Sequence, residues 1–520
     1  MHKNGPMGRD GARAVVRAAL VAAVLAVGLA SVGAGAAPAP RVGSWPYPNG
    51  ELDNARVAVG SGISGATVAR LREAWSFPIT GKAAKSLDKL GSLVANPVVV
   101  GGVVYLQDAY SNVYALRLAT GEKLWEHYVG QKLLSGPGPN GVAVAGGLVY
   151  ALAPRTAFAL RASDGRVVWA DRHLLTKGQG TFGVQPVVAG GREYLGSQYG
   201  KGPGGGVVLA LNAKDGRELW RFDTTTSLDP GVAALGLGSG GIWETPLVGS
   251  DGSVTVGVGN PYQTFGSAMS EPRPQPYTDS EVNLDAATGR LRWYYQAVPD
   301  DFKDYDLQAS PIAATVRGQP AIIGGGKMGI VYAFNARTGH LLWKTPVGAH
   351  NGHDGDSRRA LHGVTASLPL VILPGSFGGV LANMAVAGGS VYVETIDLAL
   401  RYTSNSDVTG QPFAGTKAAG EIEALSLATG RVEWDTKVAS LPLGDTTVVN
   451  DLVLTTLFDG TMLALDRATG RVVRSIALPT STNAGIAVAG DTVVVPAGGP
   501  QLAHGGGHPQ VVAYRLGGSS

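Results

Sequence analysis

Carboxylates dominate one short segment of the chain, which carries four aspartates between aromatic residues: Asp300, Asp301, Asp304 and Asp306. Carboxylates this close repel one another when ionised, so solvent, the adjacent Lys303 or a bound cation must offset their charge. Calcium prefers carboxylate and amide oxygens as ligands. A carboxylate beside a reacting hydroxyl can also accept its proton. The segment therefore predicts either a cation site with a general base or a solvated acidic loop.

Two strand-like segments precede these aspartates and add an aromatic and an amide side chain. The first contains Trp243, which offers a flat apolar face but can equally be a core residue. The second, residues 254–261, alternates apolar and small residues as a buried strand does. It ends with Asn260 before a proline, where asparagine is either a turn residue or a metal ligand. Residues 242–308 together form the candidate site.

Other polar candidates also have structural alternatives. Asp300 and Asp301 are expected to lie in solvent. Lys327 stands among glycines and is either a surface turn residue or a cation placed beside a reacting group. Residues 348–356 include two histidines and two aspartates, for which a solvated loop is favoured over a metal site.

The composition is that of a globular chain with a large core. Its 520 residues are 44% hydrophobic and 16% charged, with 77 glycines and no cysteine. Without cysteine the chain forms no disulfide, no iron–sulfur cluster, no thiolate zinc site and no c-type haem attachment. No haem is therefore expected.

Residues 1–36 have the order of an export signal. Four basic residues precede an uncharged apolar run, and small residues near Ala36 fit a cleavage site. An uncleaved anchor is the alternative. Cleavage removes four of 42 basic and one of 39 acidic residues, which leaves 38 of each. A neutral mature chain gives no electrostatic reason to bind nucleic acid, and we expect a secreted or extracytoplasmic protein.

A ten-residue motif recurs along the chain after a lead-in at residues 37–60. It begins with Leu or Phe, carries Thr-Gly, Asp-Gly or an equivalent turn, and ends in Trp or, once, in Arg474; its copies are 116–125, 160–169, 211–220, 284–293, 334–343, 425–434 and 465–474. The segment ending at Trp75 retains only the last strand. Such hairpins cannot bury their faces alone and must stack on one another.

The repeat predicts an all-β fold, one eight-bladed β-propeller over residues 61–516 with a short tail at 517–520. The spacing of the turn glycines fits one four-stranded blade per copy. Residues 511–516 are expected to pair with the Trp75 strand and close the ring. The two longest spacings, 216–289 and 339–430, add the loops in which sites are usually placed.

The tryptophan-docked blades resemble the pyrroloquinoline quinone (PQQ) propeller superfamily over most of residues 60–516. Residues 242–308 resemble the active-site segment of quinoprotein alcohol and methanol dehydrogenases. The resemblance implies that Trp243 stacks on PQQ, that Asn260 ligates a metal ion, and that Asp304 is the catalytic base and also contacts the metal.

Three further residues take their roles from the same resemblance. Asp306 matches an additional metal-ligating aspartate of lanthanide-using members and some sugar-dehydrogenase relatives. Lys327 matches the basic residue near the reactive quinone carbonyl, and Asn383, in the second long loop region, is assigned to cofactor binding. The implied cofactors are PQQ and a calcium or lanthanide ion.

The sequence also departs from the family pattern. Lys201 or its neighbours stand where a metal-ligating glutamate is expected. Val94 and Gly141 fall where an arginine and a glutamate usually contact the PQQ carboxylates. The vicinal disulfide of the methanol enzymes cannot form without cysteine.

Two functions follow from these observations. The first is a secreted PQQ-dependent dehydrogenase that oxidises a small alcohol or sugar and passes electrons to an external acceptor. The second is a non-catalytic propeller, similar to outer-membrane assembly factors, that binds a cell-envelope protein. The sequence names neither the substrate nor the acceptor.

Overall fold

Eight antiparallel blades of four strands follow one another along the chain, each built from one stretch of it except the last. The computed structural model describes residues 43–84, 91–132, 141–176, 178–198, 205–224, 240–261, 264–266, 275–299, 301–353, 368–413, 418–499 and 508–517. Residues 1–36, Lys201 and Asp300 lie outside these ranges. The first strands of neighbouring sheets contact one another and so surround the propeller axis. The predicted all-β, eight-bladed propeller is confirmed.

The blades are numbered in chain order by their first strands. Blades 1 to 4 comprise Val98–Val100, Val103–Gln107, Val113–Arg117 and Lys123–His127; Val142–Ala145, Leu148–Ala153, Thr156–Arg161 and Val167–Asp171; Val187–Ala189, Arg192–Gln198, Val207–Asn212 and Glu218–Asp223, with Thr181–Phe182 added; and Leu247–Val248, Ser253–Val258, Ser280–Asp285 and Leu291–Gln296. Blades 5 to 8 comprise Ile312–Val316, Gln319–Gly326, Ile330–Asn335 and Leu341–Pro346; Ala385–Ala387, Ser390–Ile396, Gly420–Ser426 and Val432–Val438; Thr447–Val449, Leu452–Leu457, Thr461–Asp466 and Val472–Ala477; and Ala487–Ala489, Thr492–Ala497, Gln510–Leu516 and Leu71–Pro78.

A few short elements lie outside the blades. They are the two-stranded sheet of Leu370–Ile372 and Leu400–Tyr402, the α-helix Gly81–Ala84, and the 3₁₀ turn Val68–Arg70. Among the described residues, no helix combines the length and apolar character that a membrane span requires.

The two ends of the propeller chain meet in blade 8, as the sequence predicts. Leu71–Pro78 pairs antiparallel with Gln510–Leu516, with Trp75 opposite Ala513. This pairing closes the ring by hydrogen bonds between the first and last strands.

Each repeat tryptophan packs on the turn of the next blade. The Trp169 indole N–H donates to Ala213 O at 3.1 Å, and a Cβ added to Gly216 would lie 2.4 Å from the same ring. The other donors of this kind are Trp75, Trp125, Trp220, Trp293, Trp343 and Trp434. Arg474 replaces the tryptophan on blade 7, which precedes blade 8 in the ring. The two outer strands of blade 8 come from the two chain ends and share no hairpin turn. No turn glycine is therefore present there to receive a ring.

We expect Gly216→Ala to destabilise the propeller more than Gly191→Ala. Both glycines have left-handed backbone, with φ of +75° and +74°, so each alanine costs about 1–2 kcal/mol. Only the Gly216 methyl collides with Trp169, since nothing lies within 4 Å of a Cβ at Gly191; overpacking adds about 1–3 kcal/mol. Urea unfolding of both variants measures the difference. Equal losses would contradict the docking role.

The lead-in segment crosses the channel between the blades. Trp45 N donates to Val99 O in blade 1, and Asp53 O accepts from Ala313 N in blade 5. Ala55 O accepts from Val386 N in blade 6, and Val57–Ala58 pairs parallel with the first strand of blade 7. Since these are first strands of separate blades, residues 45–58 link the inner edges of much of the ring.

Candidate active site

Gly259 allows Trp243 to lie close to the chain at Asn260. Gly259 N donates to Gly241 O at 2.8 Å. A Cβ on Gly259 would lie 2.7 Å from Trp243 Nε1 and 2.6 Å from Asp306 Oδ1. Only glycine permits this approach, so the Gly259-Asn260 pair at the end of a blade 4 strand places Trp243 against the acidic segment.

The acidic segment meets Lys327 and Asn260 in the same place. Lys327 Nζ lies 2.5 Å from Asp306 Oδ2 and 3.3 Å from Asp304 Oδ2. Asn260 N donates to Asp306 Oδ1 at 2.8 Å, and Lys327 N donates to Asp306 O at 2.9 Å. The structure thus brings together five of the six residues singled out from the sequence, although they are spread over more than eighty positions.

Two buried oxygens at this cluster suit a cation. Asn260 is 2% exposed, and its Oδ1 has no hydrogen-bond partner within the described residues. The same holds for Oδ1 of the buried Asp304. Buried polar atoms are normally paired, and amide and carboxylate oxygens are ligands that calcium prefers. Together with Asp306, these residues fit a hard cation.

Two further carboxylates were not assigned to the site from the sequence. Asp279 and Asp301 are both buried. The expectation that Asp301 is solvated is wrong: Tyr305 N donates to Asp301 Oδ2 at 2.9 Å. The buried rings of Phe302 and Tyr305 draw the segment inward, and this aromatic spacing was the available signal.

The buried acids outnumber the buried bases of the described part of this segment. Burial raises the pKa of Asp304 well above its usual range, with Lys327 opposing and Asp306 adding to the shift. Burial and repulsion by neighbouring aspartates raise the pKa of Asp279 in the same direction. A bound divalent or trivalent cation would offset this excess negative charge. Asp304 also has left-handed backbone, φ +62°, which is uncommon outside glycine.

Lys303 is a second buried lysine whose charge acts on these carboxylates. Its Nζ donates to His353 O at 2.9 Å and lies 4.5 Å from the centre of the Tyr305 ring. Its charge lowers the pKa of Asp301, against the effect of burial. Lys303 therefore offsets part of the acidic charge, as one of the possibilities raised by the sequence.

Asn383 belongs to a separate hydrogen-bond network that includes Glu244. Its Nδ2 donates to Glu244 Oε2 and to Asp445 Oδ2, both at 3.1 Å. Its Oδ1 accepts from Ser310 N at 2.8 Å. The Asn383 amide thus bonds to Glu244, the chain neighbour of Trp243. No described hydrogen bond joins it to Lys327.

Arg56 of the lead-in holds the far side of this network. It is fully buried and forms an ion pair with Asp445 at 3.2 Å. Its guanidinium also donates to Asn49 Oδ1, Thr447 Oγ1 and three backbone carbonyls. Sequence reasoning missed this network. The sequence signal for this network is a polar residue two positions before the first strand of several blades: Asn96, Gln185, Ser310, Asn383 and Asp445.

Val94 and Gly141, which the resemblance places where PQQ carboxylates would be contacted, are both buried in this fold. Val94 is apolar, and a Cβ on Gly141 would collide with Gln185. Neither can supply a charged group. Among the described residues, the fully or nearly buried basic side chains are Arg56, Lys303 and Lys327. The residues present therefore fit the cation and one face of the cofactor better than its carboxylates.

Two family models match the chain. The model described as glucose/ethanol/alcohol dehydrogenase, β-propeller domain, matches residues 45–172 and 177–349. The model described as outer membrane protein assembly factor BamB matches residues 111–242 and 378–516. The dehydrogenase match includes the cluster around Asp304.

Similar curated proteins include quinoprotein alcohol dehydrogenases. The chain is 25% identical to quinohemoprotein alcohol dehydrogenase of Comamonas testosteroni, over 88% of this chain and 72% of that enzyme. It is 26% identical to quinoprotein alcohol dehydrogenase PedH of Pseudomonas putida, over 46% of this chain and 44% of that enzyme. A further Pseudomonas putida relative, quinohemoprotein alcohol dehydrogenase ADH-IIG, is covered over 45% of its length.

Solved structures of similar fold include members of the same class. The Comamonas testosteroni enzyme superposes with a TM-score of 0.78 at 22% identity, over 92% of this chain and 81% of that one. A europium-containing methanol dehydrogenase gives 0.72 at 20% identity, over 91% and 98%. At these identities the likeness supports the fold.

Proposed function

Because this chain belongs to the glucose/ethanol/alcohol dehydrogenase β-propeller family, with PQQ as its redox cofactor beside a calcium or lanthanide ion, we propose that it oxidises an alcohol or a sugar. Export by residues 1–36 and electron transfer to an external acceptor are parts of this proposal. The observation that carries it is the meeting of Trp243, Asn260, Asp304, Asp306 and Lys327 in one buried cluster.

Each residue of the cluster has a distinct part in this proposal. PQQ, when bound, supplies the acceptor for the substrate's hydride. Trp243 offers a flat apolar face, and the oxygens of Asn260, Asp304 and Asp306 would hold the cation. Lys327 donates hydrogen bonds where negative charge develops. Asp304 takes the proton of the substrate hydroxyl.

The contacts of Lys327 explain how the Asp304 carboxylate is held in position. Lys327 touches both aspartates, so it fixes the Asp304 carboxylate next to Asp306 before substrate arrives. Asp306 can then serve the cation while Asp304, which also contacts it, serves the substrate.

A second candidate function is a non-catalytic scaffold that binds an envelope protein. It is favoured by the BamB-type match and by the uncharged residues Val94 and Gly141. A protein-binding rim would expose a contiguous apolar patch. The exposed large hydrophobic residues of the described outer strands are instead spread over six blades: Leu124, Val167, Val168, Leu291, Tyr294, Leu341, Val432 and Val472. This distribution supports the enzyme.

Reconstitution of the apoprotein with PQQ and calcium or lanthanum tests the proposal. We expect a PQQ absorbance band that remains with the protein through gel filtration and cation-dependent oxidation of an alcohol or sugar with a dye acceptor. Chelation should abolish turnover and re-addition of cation should restore it. Trp243→Ala should lose the bound PQQ while Trp220→Phe, in a docking position, keeps it. Wild type that binds no PQQ and oxidises none of the compounds offered would refute the enzyme in favour of the scaffold.

A further inference from the structure

A second group of carboxylates lies on blade 6, and none of its members belongs to the active-site cluster. One oxygen each from Glu421, Glu423 and Asp435 lies within 4.8 Å of the other two. Glu421 and Glu423 are two residues apart on one strand, and Glu423 is directly opposite Asp435 on the next. All three side chains therefore project from the same face of the sheet.

A hydroxyl and a carboxylate oxygen on this face are buried and unpaired. Thr395 lies opposite Glu421 in the strand register, so its side chain shares the face. It is fully buried, and its Oγ1 makes no hydrogen bond within the described residues. Glu423 is 5% exposed, and its Oε2 is likewise without a hydrogen bond to any described residue. Leaving such atoms unmatched costs about 1–3 kcal/mol each.

The loop that follows blade 5 covers this face. The Gly348 N–H lies close enough to the Glu423 carboxylate to lower its pKa, against the effect of burial. A Cβ on Gly348 would lie 2.7 Å from Thr395 Oγ1 and 3.0 Å from Asp397 Oδ1. Gly348 has φ +76°, so a glycine is required both for the turn and for the close approach. The oxygens are thus gathered at the junction of blades 5 and 6.

One lysine is the cation present at this junction among the described residues. Lys437 Nζ contacts Glu421 closely and lies 3.0 Å from Asp435 Oδ2. Its side chain is 67% exposed, so it reaches the cluster from solvent and can leave at little cost. Burial raises the pKa of Glu423 to about 8, and the neighbouring Glu421 and Asp435 add to the shift. A single ammonium does not offset this concentration of acidic groups.

We propose that this face of blade 6 is a second cation site for calcium or a lanthanide ion. Glu421, Glu423 and Asp435 would supply carboxylate oxygens and Thr395 its hydroxyl, with Lys437 standing in for the metal when none is bound. Carboxylates of mixed denticity, a neutral oxygen and waters entering beside the exposed Asp435 suit the six to eight ligands of calcium. Metal binding here would hold blades 5 and 6 together. The proposal does not depend on the dehydrogenase function.

Terbium luminescence, excited through tryptophan, tests the site in an Asp306→Asn background that weakens the active-site cation. We expect this chain to bind one terbium ion that calcium displaces. Adding Glu423→Gln should lower the remaining affinity at least tenfold, because a carboxylate ligand is lost. Adding Lys437→Gln should raise it several-fold, because the competing ammonium is gone. Calcium should raise the melting temperature of the Asp306→Asn chain but not of the Asp306→Asn/Glu423→Gln chain.

Glu218→Gln is the matched control, since Glu218 is paired with Arg221 on the outer strand of another blade. It should leave terbium affinity unchanged. Circular dichroism of each variant verifies folding. Unchanged affinity in Glu423→Gln, or weaker binding in Lys437→Gln, would overturn the proposal. Because the titration uses neither PQQ nor substrate, an inactive wild type would leave this result intact, and failure here would leave the dehydrogenase assay intact.

Discussion

Asp304→Asn is expected to lower turnover of the reconstituted enzyme by about 10²–10⁴-fold, the usual contribution of a positioned general base. Asparagine keeps the size of the side chain and can still accept a hydrogen bond from Lys327, whose Nζ lies 3.3 Å from Asp304 Oδ2 in the wild-type chain. It cannot take the hydroxyl proton. The fold and the PQQ absorbance band should therefore persist. Steady-state kinetics at saturating cation, together with absorbance of the purified complex, measures the two effects separately.

Two other aspartates provide the controls for this result. Asp301→Asn changes a buried acid whose Oδ2 accepts from Tyr305 N, so it should reduce turnover far less. Asp306→Ala should weaken activation by the cation, and excess cation should restore part of its activity but none in Asp304→Asn. Wild-type turnover in Asp304→Asn would refute its role as the base. If Asp304→Asn were instead more stable and every chain inactive, the scaffold function would explain the site, because one crowded negative charge would have been removed.

The propeller could be predicted because its rules are local. A turn glycine and a tryptophan nine residues after the start of each motif specify a hairpin and its docking ring, as Gly216 and Trp169 illustrate on successive blades. The pairing of residues 511–516 with the Trp75 strand was expected from the half-unit at the start of the chain, and the structure pairs Leu71–Pro78 with Gln510–Leu516. Even the exception at Arg474 has a local reason, since the outer strands of blade 8 come from the two chain ends and offer no hairpin turn on which a tryptophan could pack.

The active-site cluster was predictable for another reason. Trp243, Asn260, Asp304 and Lys327 follow in the order of a recognised family segment, so the resemblance assigned roles that spacing alone left open. The network around Arg56 had no such guide. Its ion pair with Asp445 joins residues almost 400 positions apart, and such a contact depends on the closed ring. The burial of Asp301 was not predicted, because the expectation rested on its charge alone. It did not consider that the neighbouring aromatic residues Phe302 and Tyr305 would be buried.

Arg56→Met is expected to lower the free energy of unfolding by about 3–5 kcal/mol, since it removes one partner of a buried ion pair and leaves Asp445 uncompensated. Arg56 is fully buried, and burial lowers its pKa while Asp445 opposes that shift. Methionine fills similar volume but replaces none of the hydrogen bonds to blades 7 and 8. The lead-in should then detach from the channel before the blades unfold. Urea unfolding, followed by tryptophan fluorescence, measures the loss.

Arg117→Met is the control for this prediction. Arg117 pairs with Glu122 at 2.9 Å, but both side chains are about half exposed or more, so the variant should lose less than about 1 kcal/mol. Adding Asp445→Asn to Arg56→Met should recover part of the stability, because the orphaned charge is removed while Asn96 and Asn383 keep an acceptor. Equal losses in Arg56→Met and Arg117→Met would show that the lead-in does not bind the ring through this ion pair. Partial recovery in the double variant would instead locate the cost in the buried Asp445 charge.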